Sequence, residues 1–212
     1  SSAIGGAVNA IGKEMPRQRV DPQGYEGALE ARYDTVSEAE TYVGYTTVGQ
    51  DNWALTITGL DRDAEEYEIP ADAREEDAEG TTLENSFVET EQYSVGSSWF
   101  FNDDNRVGLS FSNYESRYGI PGHGHGHGAA AIDLERQRYD AELELVEVSD
   151  LVEALRARLA YTDYAHSEGE TVFEREGWEL RTEVAHTPWW GIDEGVVGVQ
   201  ISDVDFSALG EE

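Results

Sequence analysis

The sequence predicts an all-β chain, an antiparallel up-and-down meander forming part of a transmembrane β-barrel. Three observations predict it. Apolar residues recur at every second position through most of the chain. Helical spacing is confined to a short stretch near Leu151, Ala154 and Leu155. The connections between alternating runs are tight at one end and often longer at the other, the habit of an outer-membrane barrel.

The strands follow in order. Leu29, Ala31 and Tyr33 alternate with Glu30 and Arg32, and a weaker run covers Val43 to Thr47. Trp53, Leu55 and Ile57 form the third run, and a weaker fourth covers Tyr93 to Trp99. Val107, Leu109 and Phe111 alternate with Gly108 and Ser110. Tyr139 to Leu145, Leu155 to Tyr161, Trp178 to Val184 and Val197 to Ile201 complete nine strands. Each has one apolar face and one charged or small polar face. Tight links are expected at Gly49–Asn52, Asn102–Asn105, Ser149–Asp150 and around Pro188–Glu194. Longer ones are expected at Asp61–Leu83, Tyr118–Ala131 and Ala165–Thr171, with a short first link at Asp34–Ala39.

A soluble sandwich would turn the apolar faces to a core, and a barrel would turn them to lipid. Aromatics near presumed strand ends favour lipid, because such rings gather at membrane interfaces: Trp99, Phe100, Phe101, Trp189 and Trp190. Nine strands are an odd number and leave open edges, so further strands are expected after residue 212. The chain opens on Ser1-Ser2, and a piece of a longer protein is the expectation.

Asp and Glu number 45 against 14 Lys and Arg, for a net charge of -31. That balance repels nucleic-acid phosphates and anionic lipid surfaces and attracts cations. Solubility or a salty habitat also accounts for it. The sequence has no Cys, which excludes disulfides and thiolate metal sites. No apolar run is long enough for a membrane-spanning helix, which needs about 18 residues. No phosphate-binding Gly-rich loop is present: Gly5-Gly6 lacks the Lys-Ser/Thr that follows in one. The serines have no convincing His and Asp frame, so no enzyme is expected.

The sharpest local feature is Gly122-His123-Gly124-His125-Gly126-His127-Gly128. Alternation puts His123, His125 and His127 on one side of an extended segment, and the glycines let it curl around one ion. A fourth ligand could come from Asp133, Asp163 or Glu168. His166, expected in the loop after Tyr164, is a candidate further ligand or a solvated loop histidine. His186 is expected at the opposite rim. Affinity order alone favours copper over zinc at an imidazole site. Arg136, Arg138, Arg156, Arg158 and Arg181 fall with Glu142, Glu144, Glu179 and Glu183 on polar strand faces. In a barrel they would form a charge ladder that braces the wall, and in a soluble protein ordinary cross-strand pairs.

Ser1-Ser2-Ala3-Ile4-Gly5-Gly6-Ala7-Val8-Asn9-Ala10-Ile11 resembles the last plug strand of TonB-dependent outer-membrane receptors. Asn105–Gly122 is similar to a barrel strand of that family rising into an external loop. Ser116-Arg117-Tyr118-Gly119-Ile120-Pro121-Gly122-His123 resembles the zinc-uptake branch, and Ile132–Leu134 with Arg138–Asp140 the strand that follows. The resemblance implies the end of a plug domain at residues 1–12, a linker at 13–22, and the first barrel strands at 23–212. It implies about thirteen further strands, on a total of about 22. Zinc is then the transported ligand, captured by the histidine loop. The implied partners are outer-membrane lipid and a TonB energy-coupling protein reached through a segment outside this chain. Two alternatives stand: a receptor of the same build for a metal chelate (siderophore or haem), and a soluble, acidic, β-rich periplasmic metal-binding protein.

Overall fold

The computed structural model describes residues 13–20, 24–70, 80–121 and 130–210. Nine strands form one sheet in chain order: β1 (Tyr25–Asp34), β2 (Ala39–Gln50), β3 (Trp53–Ala64), β4 (Val88–Phe100), β5 (Arg106–Ile120), β6 (Ala130–Val146), β7 (Val152–Glu168), β8 (Thr171–His186) and β9 (Gly195–Leu209). Every neighbouring pair is antiparallel, as alternating runs joined by short links require. No β1–β9 pairing closes the sheet among the described residues. The described residues contain no helix long and apolar enough to cross a membrane. The expected plug terminus at residues 1–12 lies outside the described residues.

At one end the links are 51–52, 101–105, 147–151 and 187–194. Their chemistry explains their tightness. Asp51 takes a φ of 53°, a left-handed conformation that Asp tolerates. Asn102 Oδ1 accepts the backbone N–H groups of Asp104 (3.0 Å) and Asn105 (2.8 Å), a side chain substituting for a turn carbonyl. Trp189 and Ile192 exchange both backbone bonds at 2.9 Å around Trp190 and Gly191, each at positive φ.

At the other end, Asp34 Oδ1 accepts Val36 N–H at 2.8 Å and closes the β1–β2 turn. Bonds from the Val36 and Ser37 amides hold the Asp34 carboxyl below its ordinary pKa. The β3–β4 connection packs on its neighbours: Glu68 N–H donates to the Val36 carbonyl at 3.0 Å, and Asn85 Nδ2 donates to the carbonyls of Ile120 (2.8 Å) and Ala130 (2.7 Å). The expected long links are corrected here: pairing carries β3 through Asp61 to Ala64 and β5 through Tyr118 to Ile120, with β6 beginning at Ala130. Ala165–Thr171 is not a loop, because strand pairing runs on through Ala165–Glu174, His166–Phe173 and Ser167–Val172. The turn is Gly169–Glu170 alone, with Gly169 at a φ of 60°. The small residues that look like a loop are the last positions of a strand paired on both sides.

The two faces of the sheet differ sharply. On one, cross-strand rows from β3 to β8 read Ile57–Val95–Phe111–Tyr139–Tyr161–Trp178, then Leu55–Ser97–Leu109–Ala141–Leu159–Leu180, then Trp53–Trp99–Val107–Leu143–Ala157–Thr182. These rows contain no charge. Leu143, Leu159 and Leu180 share this face, with Leu159 exposed. The rings of Phe111, Tyr139 and Tyr161 follow one another at 4.9 and 6.2 Å and cap the band. Beyond them the same face turns polar at Asn113, Gln137, Asp163 and Glu176.

The other face is polar, and residues 13–20 lie across it. Met15 is 8% exposed, and most of the buried strand residues lie on this face. Small side chains allow the approach. The Ser98 hydroxyl donates to the Pro16 carbonyl at 2.5 Å, and the hydroxyls of Thr47 and Thr56 meet at 2.8 Å. Lys13 Nζ stands 3.8 Å over the Tyr45 ring. A Cβ at Gly96 would come within 2.1 Å of the Glu14 carbonyl oxygen, and one at Gly108 within 2.4 Å of Met15 Sδ. Gly96→Val is therefore expected to expel this segment. Trypsin cleavage after Arg17 and Arg19 in the folded chain should accelerate at least several-fold, while Gly59→Val, where a Cβ meets nothing within 4 Å, should leave it unchanged.

Candidate functional site

The expected metal ligands do not assemble among the described residues. His123, His125 and His127 lie outside them. Asp133 stands on β6 on the side of the apolar band, beyond its aromatic rim, with Arg117 Nε at 3.5 Å. His166 stands on β7 with its side chain on the polar face, one register step away, where Leu134 is its partner. Successive strand residues point to opposite faces, so the sheet itself separates Asp133 from His166. His166 stacks on Phe173 at 4.6 Å and 10°, with the Tyr164 ring at 5.5 Å. Among the described residues its Nδ1 is buried without a hydrogen bond. His186 ends β8 at the tight-turn rim, its Nδ1 2.9 Å from the Thr187 carbonyl. Asp163 lies on the Asp133 side and Glu168 on the His166 side. No group of three or more His, Asp or Glu among the described residues could hold a metal ion.

The polar face holds a connected charge cluster instead. Arg106, the first residue of β5, has a side chain only 3% exposed. It bonds Glu142, and its Nε donates to Glu144 at 2.9 Å. A charge that deep is tolerable only when paired and hydrogen-bonded. Glu142, 12% exposed, also takes Arg17 from the segment 13–20 at 2.8 Å and faces Arg158 Nε at 3.3 Å. Arg156 approaches Glu144 at 3.6 Å. Arg138 pairs with Asp140 at 2.7 Å and Arg181 with Glu183 at 2.6 Å. The ladder read from the sequence thus lies on one face, as alternation requires. Arg106 and Arg17 were missing from it. Counting back by twos from Ser110 through Gly108 would have found Arg106. Arg17 sits in a segment without periodicity and left no signal.

Positive charge is segregated between the faces, while acids stand on both. Every strand arginine except Arg117 is on the polar face, namely Arg32, Arg62, Arg106, Arg136, Arg138, Arg156, Arg158, Arg175 and Arg181. A hollow of about 540 Å³ opens between residues 14–17 and this wall, reached by Arg136, Arg138, Arg158 and Arg181 and by the acids Asp140, Glu142 and Glu179.

Beyond the aromatic rim on the opposite side, a shallower hollow of about 470 Å³ is lined by Glu89, Glu91, Glu115, Asp133 and Glu135 with Arg117. No protein-family model matches the chain, and no curated protein matches it.

Proposed function

We propose that the chain is the plug terminus and first nine strands of a TonB-dependent outer-membrane receptor that takes up zinc or another divalent metal. The carrying observation is the two-faced sheet. One face presents uncharged rows that end at an aromatic rim, and the other buries its charges in a network reaching a segment that crosses it. From the Tyr139 row to the Leu145 row and on to the turn residues Val148 and Leu151, the apolar side spans roughly the 25 Å of a barrel's lipid-facing band. A soluble protein rarely leaves an apolar patch of this extent open to water. In this reading the apolar face meets lipid, the polar face lines the lumen, and residues 1–12 end the plug. The sheet edges at β1 and β9 pair with further strands.

Transport then needs no covalent step. His123, His125 and His127 capture the ion at the outer loop, whose roots at Ile120 and Ala130 are clamped by Asn85. The ion passes inward when the plug moves. Replacing all three histidines with Ala is expected to lower zinc affinity at least tenfold in titration calorimetry and to slow uptake at scarce zinc. His186→Ala is expected to change neither. Unchanged binding and uptake in the triple variant would overturn metal capture by this loop and favour the chelate receptor.

A further inference from the structure

One cross-strand row on the polar face has a composition unlike its neighbours. Register places Tyr114 of β5 beside Arg136 of β6, Arg136 beside Tyr164 of β7, Tyr164 beside Arg175 of β8, and Arg175 beside Phe206 of β9. Aromatic rings and guanidiniums thus alternate across five adjacent strands. Arg136 Cζ lies 5.3 Å from the Tyr114 ring centre. Among the described residues neither Arg136 nor Arg175 makes an ion pair, in a chain with three times as many acids as bases. The arginines below them are matched: Arg138 to Asp140, Arg158 to Glu142, and Arg181 to Glu183.

The row is also open. Both arginines are exposed, and a hollow of about 180 Å³ lies below Arg175, beside Gly177 and Ser202. The larger hollow reaches Arg136. Two strand spacings separate the arginines, about 10 Å, and Tyr164 lies between them.

We propose that this row binds a planar organic dianion: its ring lies on Tyr164 and its two carboxylate or similar acidic groups reach Arg136 and Arg175. Guanidinium binds carboxylate through parallel charge-assisted bonds, and an aromatic face supplies stacking area at small entropic cost. Two guanidiniums with no carboxylate partner among the described residues favour an anion here over a bare divalent cation, although Glu179 lines the hollows beside them. The row is therefore a ligand site of opposite sign to the histidine loop.

The site rests on the reading of the polar face as an open lumen. The probe is naphthalene-2,6-dicarboxylate, whose acids stand a comparable distance apart, titrated into the full chain in detergent and followed by its fluorescence. Saturable binding is expected. Arg136→Gln and Arg175→Gln should each weaken it about tenfold or more, as should replacing the probe by the monoanion 2-naphthoate. Tyr164→Leu should weaken it while keeping the charge, and Arg181→Gln, outside the row, should leave it unchanged. Lumen access is read separately. The chain has no cysteine, so Ser202→Cys on the same face gives a unique site for a water-soluble maleimide. Labelling without saturable binding, or binding indifferent to both arginine changes, overturns the dianion site and leaves the lumen standing. Neither labelling nor binding overturns both.

Discussion

Replacing Leu159 with arginine is expected to abolish most of the chain's association with lipid vesicles in a flotation assay. Leu159 lies in the middle row of the uncharged band, between Ala141 and Leu180, with no charge of its own level to pair with. Arginine at mid-membrane depth on the lipid face of a barrel costs about 2–4 kcal/mol. Ala160→Arg is the control. It adds the same charge one residue away but on the polar face, where it meets Glu179 across the strand pair. Flotation should survive that change. If Leu159→Arg floats as well as the parent, the apolar face does not meet lipid and the soluble reading takes its place.

A loss of about 3–5 kcal/mol in unfolding free energy is expected for Glu142→Gln, measured by denaturant titration in detergent. Glu142 faces three guanidiniums, and Arg106 beside it is almost wholly buried. Removing the carboxylate leaves that buried cation with Glu144 alone. The double change Arg106→Gln with Glu142→Gln should cost less than the two single costs added, because the stranded charge is gone. Arg17→Gln should cost far less, since its side chain is 33% exposed and water screens it. Equal small losses for Glu142→Gln and Arg17→Gln would show that the network is a surface feature with no buried anchor.

The contrast between these residues explains what the sequence could and could not reveal. Tyr139, Ala141, Leu143 and Leu145 advertise a strand because period two and a uniform face are properties of one segment. The same rule assigns Arg156, Arg158 and Glu142 to a shared face once neighbours pair. His166 looks like a loop residue because Ala165 and Ser167 are small and break the run of large apolar side chains, while the actual turn needs only Gly169 and Glu170. The row from Tyr114 to Phe206 is invisible in the sequence for a different reason. Its members come from five strands, and only the register fixes which residues become neighbours. Asp133 and His166 show the converse. They look like companions by type and separation, yet odd and even positions put the sheet between them.

The clamp made by Asn85 has a consequence for how such a protein can change. Its amide holds the last carbonyl of β5 and the first of β6, and Gly119 lies so close to Asn85 that a Cβ there would meet its carbonyl at 2.4 Å. The two strand ends are thereby fixed by a residue that belongs to neither. The β5–β6 pairing of Gly119 with Ala131 and Ile120 with Ala130 holds the same two ends from within the sheet. Doubling the length of such a connection costs only about 0.6 kcal/mol in closure entropy. The position between Ile120 and Ala130 is accordingly a socket, into which evolution or an engineer can graft a new binding sequence without retuning the wall beneath it.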